Sequence, residues 1–196
     1  DRCDVLILAV LPEQAECVLS QLNIRSGQTL LSIVSSIPLK SLQEWGAPKG
    51  KTYRAIPLPP IEFGVGPIPI CPPAPELLPL LESVGTVVTL TDEAQFLSIT
   101  VGSALMAMYY EMSASIANYM VSHGLPEAEA ARYSSSMMLA LSDTTTRSNY
   151  EQLQQLAQEC LTPGGLNEQV LFGLRENNWY ELLNEQMEGI QKRLSK

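Results

Sequence analysis

The chain has 196 residues and is 45% hydrophobic, enough to bury a real core in one domain or two smaller ones, which excludes disorder as its default state. Its 21 acidic residues against 12 basic ones leave a net charge of -9, which repels a nucleic-acid backbone and an anionic membrane surface alike. Four widely separated cysteines, Cys3, Cys17, Cys71 and Cys160, form no CxxC pair, so they indicate neither a zinc site nor a disulfide framework and read as the reduced thiols of a cytoplasmic protein.

The apolar run Val5 to Leu11 predicts a fully buried strand within a few residues of Asp1, so the sequence reads as if it begins in mid-domain. Pro12 ends it. Helical spacing follows over Glu13 to Leu22, with Ala15, Val18, Leu19 and Leu22 on one side, and then a second buried strand over Thr29 to Ser35. Strand, helix, strand is the βαβ pattern of a parallel sheet, whose ligands sit at the carboxyl ends of the strands. Here those ends are Ala9-Val10-Leu11-Pro12 and Val34-Ser35-Ser36, the first places to look for a bound cofactor.

Leu39 to Trp45 predicts a short helix closed by Gly46, and Thr52 to Ile56 another strand. From Pro57 to Pro79 the chain is proline-rich with interleaved Ile61, Phe63, Val65, Ile68 and Ile70; this suits an edge strand and rigid connection better than a solvated polyproline ligand. Gly64-Val65-Gly66 is followed by Pro67-Ile68-Pro69 rather than by a helix with a third glycine, so it fails as a dinucleotide-binding fingerprint. Glu76 to Val84 then reads as a helix and Thr86 to Leu90 as the last strand.

Beyond Thr91 the pattern is wholly helical, giving an α/β domain over residues 1–90 and an all-α domain over 91–196. Thr91 or Asp92 suits the N-cap of a long helix, Phe96 to Val121, whose only formal charge is Glu111 and whose apolar residues run round the whole circumference. Protein rather than lipid is the expected cover, because Thr100, Ser103, Ser113, Ser115 and Asn118 are many for a lipid-facing helix and the flanks carry no basic anchors. Gly124 stops that helix. Glu127 to Leu141 follows Pro126 with Ala130, Tyr133, Met137 and Met138 facing inward, Thr144 to Arg147 reads as a polar break, and Tyr150 to Cys160, Leu166 to Glu176 and Trp179 to Leu194 complete the helices.

Three places invite chemistry. His123, the only histidine, follows a helix C-terminus, where the dipole suits a structural role better than a catalytic one. Glu111, inside an apolar helix, is either a paired or pKa-shifted functional carboxylate or a partner for the hydroxyl of Tyr109 or Tyr110. Thr162-Pro163-Gly164-Gly165-Leu166-Asn167 places two glycines ahead of a helix, where exposed N–H groups, with Thr162 and Asn167 beside them, suit a carboxylate or phosphate; a plain interhelical turn is the other reading.

Taken together, Asp4 to Pro12, Leu31-Ser32-Ile33-Val34, Arg54-Ala55-Ile56-Pro57-Leu58-Pro59, the long small-residue helix, Gly124-Leu125-Pro126 and Thr162-Pro163-Gly164-Gly165 resemble the pyrroline-5-carboxylate reductase family over nearly the whole chain. The resemblance implies a Rossmann domain binding NAD or NADP, here only its C-terminal part, followed by an all-α domain that interlocks with a twin in a homodimer and so covers the long helix. It implies that the family's glycine-rich loop precedes the matched segment and that this chain is a fragment. Cofactor contacts are implied at Ala9, Val10, Leu11, Pro12, Ser35 and Pro57, and substrate contacts at Gly102, Ser103, Thr162, Gly164, Gly165 and Asn167.

The chain also departs from the family's pattern. Leu11 stands where the family has lysine, Leu58-Pro59 where it has asparagine and threonine, and Leu166-Asn167 where a threonine pair belongs to the site for the substrate carboxylate. Losing such polar contacts costs a site much of its discrimination. The expected function is therefore NAD(P)-dependent reduction of a small imine or carbonyl compound at an altered substrate site; the alternative is a non-catalytic dimerising or regulatory protein that keeps the scaffold.

Overall fold

A computed structural model describes residues 3–46 and 50–195, so the expectation of a mid-domain start at Asp1 lies outside the described residues. The chain divides into two compact units, Asp1–Ile99 and Thr100–Lys196.

The first unit is a five-stranded sheet whose spatial order follows the chain: β1 (Val5–Leu8), β2 (Thr29–Ser32), β3 (Lys51–Ala55), β4 (Pro67–Cys71) and β5 (Thr86–Thr89). β1, β2 and β3 are parallel, in a register that puts Val5, Thr29 and Lys51 in one row and Leu8, Ser32 and Arg54 in another. Their crossovers carry α1 (Pro12–Gln21) and α2 (Leu39–Trp45). α1 begins on Pro12, whose fixed φ and missing N–H suit a first helical turn, and the Gln14 side chain reaches back to accept the Leu11 N–H at 3.3 Å. α2 stops at Gly46, where a Cβ would lie 2.9 Å from the Leu19 Cβ, so a glycine lets the end of α2 approach α1.

Both faces of the sheet are covered, which is why all four residues of β2 are buried. On one face Leu8, Leu30 and Val34 pack with Ala15, Leu19 and Leu42; on the other Leu31, Tyr53, Ala55, Ile68 and Ile70 pack with Leu77 and Leu81. Each cluster removes several large side chains from water at about 25 cal/mol per Å² of apolar surface.

The elements depart from the sequence pattern in definite places. β1 ends at Leu8 and β2 at Ser32, so Ala9 to Leu11 and Ser35 are loop residues; the Ser32 hydroxyl accepts the Val34 N–H at 3.2 Å and turns the chain out of the strand. The proline-rich segment supplies a 3₁₀ turn, Pro59–Phe63, and then β4, which is an interior strand rather than the expected edge strand. β4 tolerates its prolines because Pro67 and Pro69 turn their carbonyls toward the chain after β3, accepting from Leu58 and Ile56, so the missing donors fall on that side. Pairing with β3 is antiparallel and covers only Arg54 with Cys71 and Ala55 with Ile70, whereas β4 and β5 are parallel over Pro67 to Ile70. Prolines also shorten the helix expected over Glu76 to Val84 to a 3₁₀ turn, Pro75–Leu77, and α3, Leu78–Leu81.

From Gln95 onward the chain forms α4 (Gln95–Ser103), α5 (Met106–Ser122), α6 (Glu127–Thr146), α7 (Tyr150–Glu159), α8 (Leu166–Glu176) and α9 (Trp179–Leu194). The long helix expected over Phe96 to Val121 is thus two helices. The break at Ala104-Leu105 follows Gly102, a weak helix former, and the Leu105 N–H bonds the Gly102 carbonyl in a tightened turn. Asp92 caps the turn ahead of α4, accepting the Ala94 N–H at 2.9 Å. Gly124 at φ +94 ends α5 in a Schellman motif, with Leu125 N–H bonded to Met120 O and Gly124 N–H to Val121 O. α6 runs through the expected polar break because Thr144, Thr145 and Thr146 turn their hydroxyls back onto helix carbonyls and Arg147 pairs with Asp143 at 2.9 Å. Ala130, Ser134 and Met138 form its buried stripe, with the Ser134 hydroxyl donating to the Ser113 carbonyl of α5, while Tyr133 is exposed rather than inward. Among the described residues no helix is long and apolar enough to cross a membrane.

One polar cluster ties β3 to the turn before α3. Glu76 Oε1 accepts from Lys51 Nζ at 2.6 Å and from the Tyr53 hydroxyl at 2.7 Å. The Lys51 hydrogen bond, then the residue's own amide and Tyr53, pull the Glu76 carboxyl down to about 2. Burial, then the adjoining Glu76 carboxylate, push Tyr53 up to about 12. The Glu76 contribution is present above its ordinary value of 4.5 and is lost as pH falls toward about 2. The Tyr53 contribution is present below 10.0 and is lost as pH rises toward about 12. Urea unfolding across pH is expected to show stability falling in both windows, and Glu76→Gln to flatten the acid one; an unchanged acid slope in the variant refutes the assignment.

Candidate functional site

The parallel triplet β1, β2 and β3 ends together, and the Ile33 N–H bonds the Leu8 carbonyl at 3.0 Å to carry the pairing just past the strands. The loops that leave this edge are 9–11, 33–38 and 56–58. The structure therefore brings Ala9, Val10, Leu11, Pro12, Ser35 and Pro57 to one edge of the sheet. Leu11 is 59% exposed, Ala9, Pro12 and Ser35 are also exposed, and Val10 and Pro57 are half-buried. None of residues 9–12, 33–36 or 56–58 carries a charged side chain. Such an edge suits the ring and ribose of a nicotinamide; a pyrophosphate asks for a glycine-rich helix start.

One charged cluster stands beside these loops, and sequence patterning did not single it out. Arg54, at the carboxyl end of β3, donates through Nη1 to Glu93 Oε1 at 2.6 Å and through Nη2 to the Ser35 carbonyl, and its guanidinium lies 4.7 Å from the centre of the Phe96 ring. Glu93 Oε1 also accepts the Leu39 N–H at 2.8 Å. The available signal was a single cation in an otherwise uncharged stretch from Thr52 to Ile61. Next to it, burial, then the carboxylates of Glu93 and Asp92, push the Cys71 thiol up, which keeps it protonated and inert.

The other sequence-predicted residues belong to the second unit. Gly102 and Ser103 close α4, with Gly102 exposed and Ser103 half-buried. Gly165 is the N-cap of α8 and Gly164 stands at φ +71. Three of the loop's donors are engaged within the chain: Gly164 N–H donates to Glu168 Oε2 at 2.7 Å, Gly165 N–H to the Thr162 carbonyl at 2.7 Å, and Asn167 Nδ2 to the Cys160 carbonyl at 3.1 Å. Glu111, expected inside, lies on an exposed face of α5. His123 caps α5, with Nδ1 2.8 Å from the Tyr119 carbonyl and its ring 4.2 Å from that of Tyr119, a structural arrangement.

The helices of the second unit leave much apolar surface open. α5 buries none of its residues, and Tyr110, Tyr119, Leu139, Leu166 and Val170 are each more than 60% exposed. Exposed apolar surface on this scale marks an association face.

No curated protein matches the chain. Its structure is similar to that of a pyrroline-5-carboxylate reductase from Coxiella burnetii, with a TM-score of 0.83 and 20% identity over 98% of this chain and 75% of that one. It is similar to 1-pyrroline-5-carboxylate reductase from Streptococcus pyogenes, with a TM-score of 0.76 and 20% identity over 98% of this chain and 76% of that one. Plasmodium falciparum pyrroline carboxylate reductase with NADP bound matches with a TM-score of 0.76 and 22% identity over 97% and 76%. These likenesses establish a shared fold. The family model for pyrroline-5-carboxylate reductase dimerisation matches residues 93–196, more than half of the chain, and the chain belongs to that family.

Proposed function

We propose that this chain is the body of an NAD(P)-dependent oxidoreductase that reduces a small imine or carbonyl compound, works as a homodimer and resides in the cytoplasm. The observation that carries the reading is the meeting of three uncharged loops at the carboxyl edge of β1, β2 and β3, where open α/β sheets hold their ligands. Membership of a reductase dimerisation family and the likeness to a reductase with NADP bound support it. The exposed thiols of Cys3, Cys17 and Cys160 suit a reducing compartment.

On this reading residues 1–90 form the C-terminal part of the cofactor domain and 91–196 the helical domain for dimerisation and substrate. A nicotinamide bound there would supply a hydride for the C=N or C=O carbon, with a proton taken up at the nitrogen or oxygen. Ala9, Val10 and Leu11 offer it an apolar wall that keeps water away, Ser35 offers a hydroxyl, and Pro57 fixes the backbone at the end of β3. Gly102, Ser103, Thr162, Gly164, Gly165 and Asn167 are the proposed substrate contacts. A second reading, a dimerising protein without catalysis, draws support from the Gly164 and Asn167 donors, which are already satisfied inside the chain.

Fluorescence titration of the full-length protein with NADH and NADPH tests the first reading; saturable binding of one or both is expected, and binding of neither leaves only the second. Glu168→Ala removes the carboxylate that satisfies Gly164 and is expected to cost about 1 kcal/mol in urea unfolding; an unchanged midpoint rejects the capping role. Leu139, 70% exposed on α6, is a fitting probe of the association face. Sedimentation is expected to show a dimer whose dissociation constant rises on the order of tenfold or more in Leu139→Glu, and a monomeric parent protein defeats the homodimer.

A further inference from the structure

Amid the uncharged loops of the carboxyl edge stands one cationic side chain, Arg54, only 12% exposed. Its partners are not spread at random. One fork nitrogen holds Ser35 by its carbonyl. The other holds Glu93 at 2.6 Å, and the same Glu93 oxygen holds the N–H of Leu39, first residue of α2, at 2.8 Å. α2 has Pro38 at its N-cap and no side-chain cap of its own, so Glu93 supplies the missing acceptor from a distant part of the chain. The loop 33–38 is thereby gripped at Ser35 directly and at its far end through Glu93. Phe96, buried at 3% exposure, backs the guanidinium at 4.7 Å.

A part-buried ion pair such as this one, with Arg54 12% and Glu93 29% exposed, gains little net stability over an apolar replacement. Here the remaining guanidinium nitrogen, Nε, is buried without a hydrogen-bond partner, a further cost. What such a planar fork does supply is fixed geometry, which a flexible lysine does not reproduce. The thing it fixes is a loop at the edge where the cofactor is proposed to lie.

We propose that Arg54 is a positioning residue for the nicotinamide cofactor: with Glu93 it locks the 33–38 loop, and Ser35 within it, in the geometry that receives the cofactor, a role that rests on the carboxyl edge being the cofactor site. It touches no reacting atom and acts through the loop. Sites lose affinity when the groups supporting them are loosened, even where every contacting residue is kept.

The test uses the full-length protein, with equilibrium binding of NADH and NADPH, cofactor-free hydrogen exchange, and thermal melting. In Arg54→Met, exchange in residues 33–39 is expected to rise well above that in α1, and cofactor affinity to fall about tenfold, the scale of one charge-assisted hydrogen bond. Arg54→Lys, which keeps the charge without the fork, is expected to recover only part of the affinity. Parent-like affinity in Arg54→Met despite a loosened loop overturns the role while leaving the cofactor site standing. Exchange that rises uniformly through the sheet, with affinity falling only as far as the unfolded fraction requires, overturns it in favour of fold maintenance. A parent protein that binds neither cofactor removes the site itself and the role with it, and that result is read before any variant is made. If Arg54→Met does not fold, Glu93→Ala, which frees Leu39 but leaves Arg54 bonded to Ser35, carries the same test, with unchanged affinity as the overturning result.

Discussion

Leu30 and Leu31 stand back to back on β2, one packed under α1 and α2, the other under the turn and helix that follow β4, and both are about 1% exposed. This two-sided burial is the constraint on which the rest of the first unit hangs. A strand with no solvated face must lie inside the sheet with both faces covered, and β2 takes β1 and β3 as parallel neighbours. Three parallel neighbours necessarily end in one row. The loops that carry the proposed cofactor contacts meet for that reason, and their lack of charge then sets what kind of ligand surface they make.

The helical unit obeys a different economy. Its clearest internal seam among the described residues is the buried stripe Ala130, Ser134 and Met138 of α6, closed by the hydroxyl of Ser134 on α5. Outside that seam it leaves tyrosines and leucines in the open, including 82% of Leu166. A sheet unit can finish its core within one chain. A set of helices like this one finishes its core by association, in keeping with its membership of a dimerisation family.

Periodicity made much of this legible. The alternation from Val5 to Trp45 gave the βαβ order, and the bounds of α2, α8 and α9 fall where glycine, proline and the apolar spacing put them. Three features escaped it. Proline content predicts an edge position for β4 because proline removes donors, but periodicity does not say which neighbour those donors would have faced. The break at Ala104-Leu105 has no proline to announce it; a local tightening after Gly102 does the work. Glu111 looked inward because a helix apolar all round implies cover, and within one chain that cover is absent. Of the site, the loop positions could be read from strand ends, whereas the Arg54 clamp joins residues from β3, the 33–38 loop and the stretch before α4, and no local spacing encodes such a meeting.

The prolines of β4 have a mechanical consequence. β1, β2 and β3 pair in parallel, and so do β4 and β5, but β3 and β4 meet antiparallel at Arg54 with Cys71 and Ala55 with Ile70, and the hydrogen bonds from Ile56 to Pro69 and from Leu58 to Pro67 carry that pairing past the end of β3. The sheet is thus two parallel leaves on one antiparallel seam, three strands wide on one side and two on the other. Pro67 and Pro69 withhold two N–H donors on that side, so the seam is held by fewer hydrogen bonds than a full antiparallel ladder. Arg54 stands at the seam itself, paired in register with Cys71, so the clamp on the 33–38 loop is anchored where the two leaves meet.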